Sequence, residues 1–493
     1  MTEFTRATAP ATSRDQGCVD WRAQLQHRVA QCLGRFQDRS LTPQSCYDLE
    51  REIKAALDEA GRTILGQAFN RAEPDDKQQA AAKVRYRGAT YRINKKTPAE
   101  IATSFGPITV RSFLYLHADD GEPGVHPLHV SLGLVAGTAT AWLAERVARW
   151  SVDFSQREVR QWLAAEHGLQ WSNDRLRRVL REFRRTVVAF RAEAQVQQLR
   201  SWLTQAERSR GRQRPVLAVG RDGVMVPLRG QGYQEASTAT LSVYDRRGQR
   251  LGTVYLGQMP EKYQATMSDD LTAVLKAVLA QGSGPTPRLV YVTDKGQAQE
   301  DYYRRVLRRM HDPRRPQQRL RWEWVLDFFH VCGYVSKLRE ALFGEAGYGW
   351  WKRMRQWLRQ RRQGVANLLR SAVQHYQRQS LSRTAQAAFW KAYRYLRRHS
   401  RWMDYARYRR QGLPIGSGVT EAACKTVFTQ RLKRSGMRWH RESGQVIVDL
   451  RVLHLSGIWS VVVRKDLQSR PLPQPVQRVS HQPDTTKTIK KAA

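Results

Sequence analysis

The stretch PVLAVGRDGVMVPL, residues 215–228, decides the fold. It reads as a strand, in which Asp222 follows the apolar run VLAV and precedes Gly223, which keeps the neighbourhood open. Downstream, STATLSVYD (237–245) and RLGTVYLGQM (250–259) read as two more strands joined by a turn at Arg246-Arg247-Gly248. MSDDLTAVLKAVLAQ (267–281) reads as a helix with Ser268 as its cap and Gly282 as its stop. RLVYVTD (288–294) is a fourth strand, nearly all apolar and ending on Asp294. EDYYRRVLRRM (300–310) is a helix, and LRWEWVLDFFHV (320–331) is a fifth strand running into another helix.

The order β-β-β-α-β-α-β, antiparallel strands followed by right-handed crossovers, predicts an α/β fold with an RNase H-like mixed sheet. Two-metal phosphoryl transfer on such a sheet needs acids at one end of it. These hold two divalent ions roughly 3.5–4 Å apart, and hard cations want oxygen ligands. Asp222 on the first strand and Asp294 at the end of the fourth meet that need, because those strands are neighbours in this fold. An Asp after a strand is otherwise a turn former. Asp327 and His330, in DFFH at the end of the fifth strand, form a further constellation. A buried Asp needs a partner, and the pair reads as a structural contact, a metal ligand or a base, with a supporting role near the site favoured. Glu421, in IGSGVTEAACK, falls in the first turns of a helix opened by Ser417. Alone it reads as an acid favoured by the helix dipole and paired with Lys425 four residues on.

The rest of the chain divides around this core. Residues 1–17 are polar and read as disordered. Residues 18–82 are amphipathic helix, with Trp21, Leu25, Val29, Leu33 and Phe36 at helical spacing. Residues 83–130 form a small β-hairpin unit with Gly106-Pro107 as its turn. Residues 131–210 contain FSQREVRQWLAAEHGLQWSNDRLRRVLREFRRTV (154–187), a helix-turn-helix with Ser155 as first cap, Gly168 as stop and Ser172 or Asn173 as second cap. Its second helix carries Arg177, Arg178 and Arg181, which suit a major groove; a solvated basic face is the alternative. Residues 211–332 hold the first part of the core. Residues 333–410 are a helical insertion rich in Trp and Arg, where Trp350-Trp351 is the candidate exposed pair for stacking an unpaired base, against a helix-bundle core role. Residues 411–465 are the closing helices, split near Gly436. Residues 466–493, basic and punctuated by proline, read as a disordered tail.

Among 493 residues, 84 Lys and Arg face 44 acids, a formal net charge of +40. Such a surface repels itself unless a polyanion shares it, which points to nucleic acid. The five cysteines contain no C-x-x-C pair, which argues against a disulfide framework and for a reducing compartment. No apolar run reaches the roughly 18 residues of a membrane span, and the N-terminus has no signal-peptide pattern. The expectation is a cytoplasmic protein acting on the bacterial nucleoid, with no membrane.

LPIGSGVTEAACKTVFTQRLKRSGMRW (413–439) followed by DLRVLHLSG (449–457) resembles the closing motif of ISKra-type bacterial insertion-sequence transposases, DDE enzymes distantly similar to the Mutator and hAT transposases. VLDFFHV resembles their D-F-x-H segment, GRDGVMVPL their first catalytic strand, and VTDKG sits where their second aspartate is expected. FGPITVRSFLYL (105–116) and HPLHVSLGL (126–134) resemble the region before their helix-turn-helix. The resemblance implies Asp222, Asp294 and Glu421 as the catalytic, metal-holding triad, two Mg²⁺ or Mn²⁺ ions, and a helical insertion ahead of the glutamate. One departure is HADDGEPGVHPLH (117–129), where family members often carry a zinc ribbon with cysteine pairs. His117, His126 and His129 do not replace paired thiolates, so no structural zinc is expected.

The function expected is a transposase that cleaves transposon-end DNA and joins the 3′-OH to target DNA. Double-stranded DNA is the partner, and a homodimer or higher oligomer would cut two ends together. Lys425, Arg431, Lys433, Arg434 and Arg438, on and after the Glu421 helix, are the candidate phosphate contacts. The alternatives are a non-catalytic DNA-binding protein derived from a transposase, or another RNase H-like nuclease.

Overall fold

The computed structural model describes residues 21–37, 42–117, 122–282 and 284–476. The chain divides into two units: residues 1–147, 156–179 and 469–493 form one, and residues 148–155 and 180–468 the other. The expected disorder of residues 1–17 and of the last part of the tail, 477–493, lies outside the described residues. Among the described residues no single helix is long and apolar enough to cross a membrane.

In the first unit, helices Trp21–Gln37 and Pro43–Arg71 precede strands Lys83–Tyr86, Ala89–Thr103 and Gly106–His117. Thr42 and Ser45 cap the second helix reciprocally, and Pro43 opens it where no intrahelical N–H bond is lost. The hairpin turn falls at Ser104-Phe105, since Thr103 already pairs with Gly106, so Gly106-Pro107 begins a strand and does not form the turn. The sheet is also wider than the small hairpin expected. Gln474–Pro475 pairs with Lys83–Tyr86 at its edge, and helix Trp459–Ser469 precedes it, so residues 466–476 of the expected disordered tail are ordered. Helices Gln156–His167 and Asn173–Val188 follow the predicted helix-turn-helix. Gly168 takes the left-handed φ of +63° that ends the first, and Ser172 Oγ accepts from Arg175 N (3.1 Å) at the start of the second.

The second unit is built on five strands: β1 (Val216–Leu228), β2 (Gly232–Tyr244), β3 (Arg250–Gln258), β4 (Arg288–Thr293) and β5 (Trp322–Leu326). Their spatial order is β5-β4-β1-β2-β3. β1, β2 and β3 are antiparallel, while β4 lies parallel to β1 and β5 parallel to β4. The fold is therefore mixed α/β. Side chains alternate between two buried faces, as the pleat requires. Leu217, Val219, Leu289 and Tyr291 pack with helices α1 (Arg191–Arg208) and α2 (Ala265–Ala280). Val216, Ala218, Val290, Val292 and Val325 pack on the other side with helix α3 (Phe328–Phe343) and the helices of residues 348–410. Two-sided burial is why β4 reads as a nearly unbroken apolar run.

Two local expectations change. Helix α2 starts at Ala265, and Ser268 lies inside its first turn, donating to Gln264 O (2.8 Å) and accepting from Arg221 Nη1 (3.0 Å), so it is not the cap. The Trp-rich insertion is helical as expected, but its candidate stacking pair belongs to the core. Trp350 donates to Ser371 Oγ (2.9 Å) and packs beside Phe343 and His375, and Trp351 is half-buried against the same cluster.

A candidate carboxylate centre on one sheet edge

The strand register places the acids. Gly220 on β1 pairs with Val292 on β4, so Asp222 and Asp294 each lie two residues further along neighbouring parallel strands. Leu326 on β5 pairs with Thr293, and Asp327 N donates to Thr293 O (2.9 Å), which sets Asp327 beside Asp294. Alternation puts all three on the face that carries Ala218, Val292 and Val325. Three aspartates thus stand in a row across three adjacent strands, Asp222 midway along β1 and Asp294 and Asp327 just past the ends of β4 and β5.

Glu421 joins them from helix α4 (Gly418–Ala423), which crosses this face. Thr420 Oγ1 meets Thr240 Oγ1 (2.8 Å) and lies 1.9 Å from where a Cβ on Gly220 would stand. Only glycine at 220 lets the helix approach so closely. The helix continues as a π turn, Cys424–Thr429, before a last α turn, Gln430–Leu432. Such π insertions often accompany functional sites. Cys424 Sγ sits 3.5 Å from Asp222 Oδ2. Burial first, then the Asp222 charge, pushes its thiol up to about 12, so it stays a protonated donor.

The four acids play different parts. Asp327 is fully buried, with 0% exposure. It accepts from His330 N (2.5 Å), from Ser417 Oγ (2.9 Å) and from Ser417 N, so it caps α3 and ties down the loop before α4. The partner that its burial demands is backbone and serine rather than the His330 ring, which packs near Tyr334 and Tyr395. Ser417 Oγ also reaches Glu421 Oε1 at 2.7 Å, so Glu421 is held by serine, not by Lys425. Asp222 and Asp294 keep oxygens for a ligand: Asp222 Oδ1 accepts only from Gly223 N (2.8 Å), and Asp294 Oδ1 from Gly296 N (3.2 Å). Burial raises the Asp222 carboxyl above the usual carboxylate range, and Asp294 and Glu421 raise it further, against the Gly223 N–H and Cys424.

Lys295, next to Asp294, is a feature the sequence did not single out. It takes a left-handed φ of +70°, and its Nζ lies 3.8 Å over Trp402, 5.0 Å over Trp324 and 3.3 Å from Glu300. This anchor fixes the turn that carries Asp294.

The basic candidates separate by burial. Lys425, Lys433, Arg434 and Arg438 are exposed, although Arg434 also donates to Gln430 O (3.1 Å) and Asp153 O (2.6 Å). Arg431 does not join them. It is 1% exposed, donates to Ser151 O (3.1 Å) and lies over the Trp439 ring (5.2 Å), so it is a structural side chain and not a phosphate contact. Arg177, Arg178 and Arg181 are exposed on one face of Asn173–Val188, whose opposite face buries Leu176, Val179, Leu180 and Phe183.

Among the described residues no group of three or more His, Cys, Asp or Glu side chains is already gathered to hold a metal ion. Asp222, Asp294 and Glu421 are near enough that the charges of the last two act on the first. Their chemistry suits a hard cation: all are oxygen donors, and their like charges already oppose one another at Asp222. No family model matches the chain, and no curated protein matches it.

A raised folded-state value means that ionised Asp222 weakens the metal-free protein, a loss that begins as pH rises past the unfolded carboxyl value and is complete once it has passed the raised folded one. Asp222→Asn removes the charge and keeps an oxygen for Gly223 N. The variant is expected to melt above the native protein at pH 7 without metal, with the gap closing as acid protonates native Asp222. A variant melting below native at pH 7 would show that the carboxylate is a net stabiliser.

Proposed function

We propose that the second unit is an RNase H-like phosphoryl-transfer core, and that the chain is a DDE transposase similar to the ISKra type. The observation that carries this reading is the alignment of Asp222 with Asp294 on adjacent parallel strands beneath Glu421. The strand order, third-second-first-fourth-fifth with the first three antiparallel, is the one expected of such a core.

In this reading Asp222, Asp294 and Glu421 supply oxygen ligands for two Mg²⁺ or Mn²⁺ ions. When bound, the ions would activate the attacking oxygen and stabilise the leaving one. The chain's own groups arrange this edge. Ser417 holds the Glu421 carboxylate, Asp327 fixes Ser417, and Lys295 in its aromatic cage fixes the turn after Asp294. His330 supports the site from the first turn of α3. Exposed Lys425, Lys433, Arg434 and Arg438 follow Glu421 and are suited to duplex phosphates, while Arg177, Arg178 and Arg181 are suited to a groove. The charge of +40 supports double-stranded DNA, transposon ends and target, as the partner. A bacterial nucleoid location follows from that substrate.

The test is strand cleavage of labelled duplexes carrying the ends of the element that encodes the chain. The expected result is cutting with Mg²⁺ or Mn²⁺ that leaves a 3′-OH and stops with EDTA. Cutting of RNA or branched junctions with the duplex ends untouched would assign the chain to another class of RNase H-like nuclease. Binding without cutting in either metal would make it a non-catalytic DNA-binding protein.

A further inference from the structure

The helical insertion between α3 and α4 carries no acid from Glu345 to Asp404. Elsewhere, exposed helical arginines find an acid three or four residues away: Arg177 pairs with Asp174, Arg185 with Glu182 and Arg304 with Glu300. In the insertion Lys352, Arg353, Arg359, Arg394, Arg397 and Arg398 are exposed with no such neighbour in sequence. Like charges on one helix face destabilise it, and a polyanion that shares the surface removes that cost.

This basic surface reaches the carboxylate edge. Helix Arg383–His399 buries Phe389, Ala392 and Leu396 in the core that also holds Val331, Val335 and Leu338 of α3. Near its end Tyr395 stacks on Tyr334 (3.7 Å), and its hydroxyl donates to Asp294 O (3.5 Å). Arg394, Arg397 and Arg398, at three- and four-residue steps, share the exposed side of this helix end. Arg401 follows, 3.8 Å over Trp402, the ring that also takes Lys295. Their charge is felt beside the acids: burial, then Lys295 and more weakly Arg398, hold the His399 imidazole below its usual range, against a hydrogen bond with Tyr395 O.

The sheet sets this group on one side of the acids and the cations after Glu421 on the other. In the strand order β5-β4-β1-β2-β3, the insertion packs with Val290, Val292 and Val325 of β4 and β5. The helix that follows Glu421 packs Val427, Phe428 and Leu432 with Val226, Leu228 and Ala236 of β1 and β2. Asp294 and Asp222 lie between. A duplex whose scissile phosphate sits at the acids continues in both directions, with a negative charge about every 1.7 Å along its axis.

We propose that Arg394, Arg397, Arg398 and Arg401 hold the phosphates of one duplex arm, on the opposite side of the scissile phosphate from the arm held by Lys425, Lys433, Arg434 and Arg438. The proposal rests on the catalytic reading for the place of the scissile phosphate. It gives the insertion a backbone-holding role in place of base stacking.

The experiment measures binding, in EDTA so that nothing is cut, of three labelled duplexes: one spanning the cleavage point with both arms, and two with either arm cut back to that point. The native chain is expected to lose affinity with each shortening. Arg397→Gln combined with Arg398→Gln is expected to melt like the native chain, since both side chains are exposed. It should bind the full duplex at least about tenfold more weakly, with a log–log salt slope shallower by about 2. Shortening one arm should then cost this variant little, while shortening the other costs it as much as the native chain. Lys433→Gln combined with Arg438→Gln should show the reverse preference. Native affinity and salt slope in the Arg397→Gln, Arg398→Gln chain overturn the proposal, as does loss of sensitivity to the same arm in both variants. Cleavage in Mg²⁺ or Mn²⁺ is read separately. A chain with the arm-specific pattern that cuts nothing loses the catalytic reading alone, and one that cuts while the Arg397→Gln, Arg398→Gln variant binds as native loses the insertion's role alone.

Discussion

Asp294→Asn is expected to bind transposon-end DNA as the native chain does and to cut it about a thousandfold more slowly, or worse. A lost metal ligand removes several kcal/mol of transition-state stabilisation, and about 1.4 kcal/mol is a factor of ten. The fold should tolerate the change. Asp294 is half-exposed, and the hydrogen bond that its side chain accepts, from Gly296 N to Oδ1 (3.2 Å), is kept by an asparagine oxygen. Its backbone is held independently, by Lys295 between Trp402 and Trp324. Binding is measured by electrophoretic mobility shift and cutting on the same labelled duplex.

Asp327→Ala has the opposite signature. It is expected to cost about 3 kcal/mol or more of folding stability, because it leaves buried donors unsatisfied and opens a small cavity. His330 N and Ser417 N lose their acceptor, and Ser417 Oγ is left with Glu421 Oε1 alone. Activity falls as a consequence, since Ser417 also holds Glu421. Chemical denaturation reads the loss directly. A variant that unfolds at the native denaturant concentration would show that Asp327 does not anchor the Ser417 loop.

How far the sequence shows this site depends on what each residue's reading needs. Strand β4 was legible because burial on both faces leaves a nearly unbroken apolar run, and the five-strand order follows from the succession of strand and helix patterns. Spacing favoured Asp294 over Asp327 as the second ligand, although each ends a buried strand. Only the register and Asp327's three donors separate a free carboxylate from an anchoring one. Ser417 read as a helix start, but its bridge between Asp327 and Glu421 joins residues far apart in the chain. Cys424 gave no signal at all.

Arg431 failed for a helical reason. A straight α-helix puts Leu432, seven residues on, on the face of Lys425. The π turn over Cys424–Thr429 delays the phase, so Lys433 is exposed while Arg431 and Leu432 are buried. Trp350 and Trp351 read the same whether exposed or packed, and only the neighbouring helix that carries Ser371 and His375 decides. Gln474–Pro475 reads as tail because two residues carry no periodicity; pairing with Lys83–Tyr86 gives them a strand.

The most direct test of the central claim, that Asp222, Asp294 and Glu421 form a metal-dependent centre anchored by Asp327, is to time end-DNA cleavage in Mn²⁺ by the native chain, Asp294→Asn and Asp327→Asn side by side. Asp294→Asn is expected to bind the DNA, to melt like the native chain and not to cut, while Asp327→Asn is expected to lose activity only together with stability. Asp294→Asn cutting at the native rate, with a stable Asp327→Asn that cannot cut, would contradict that claim.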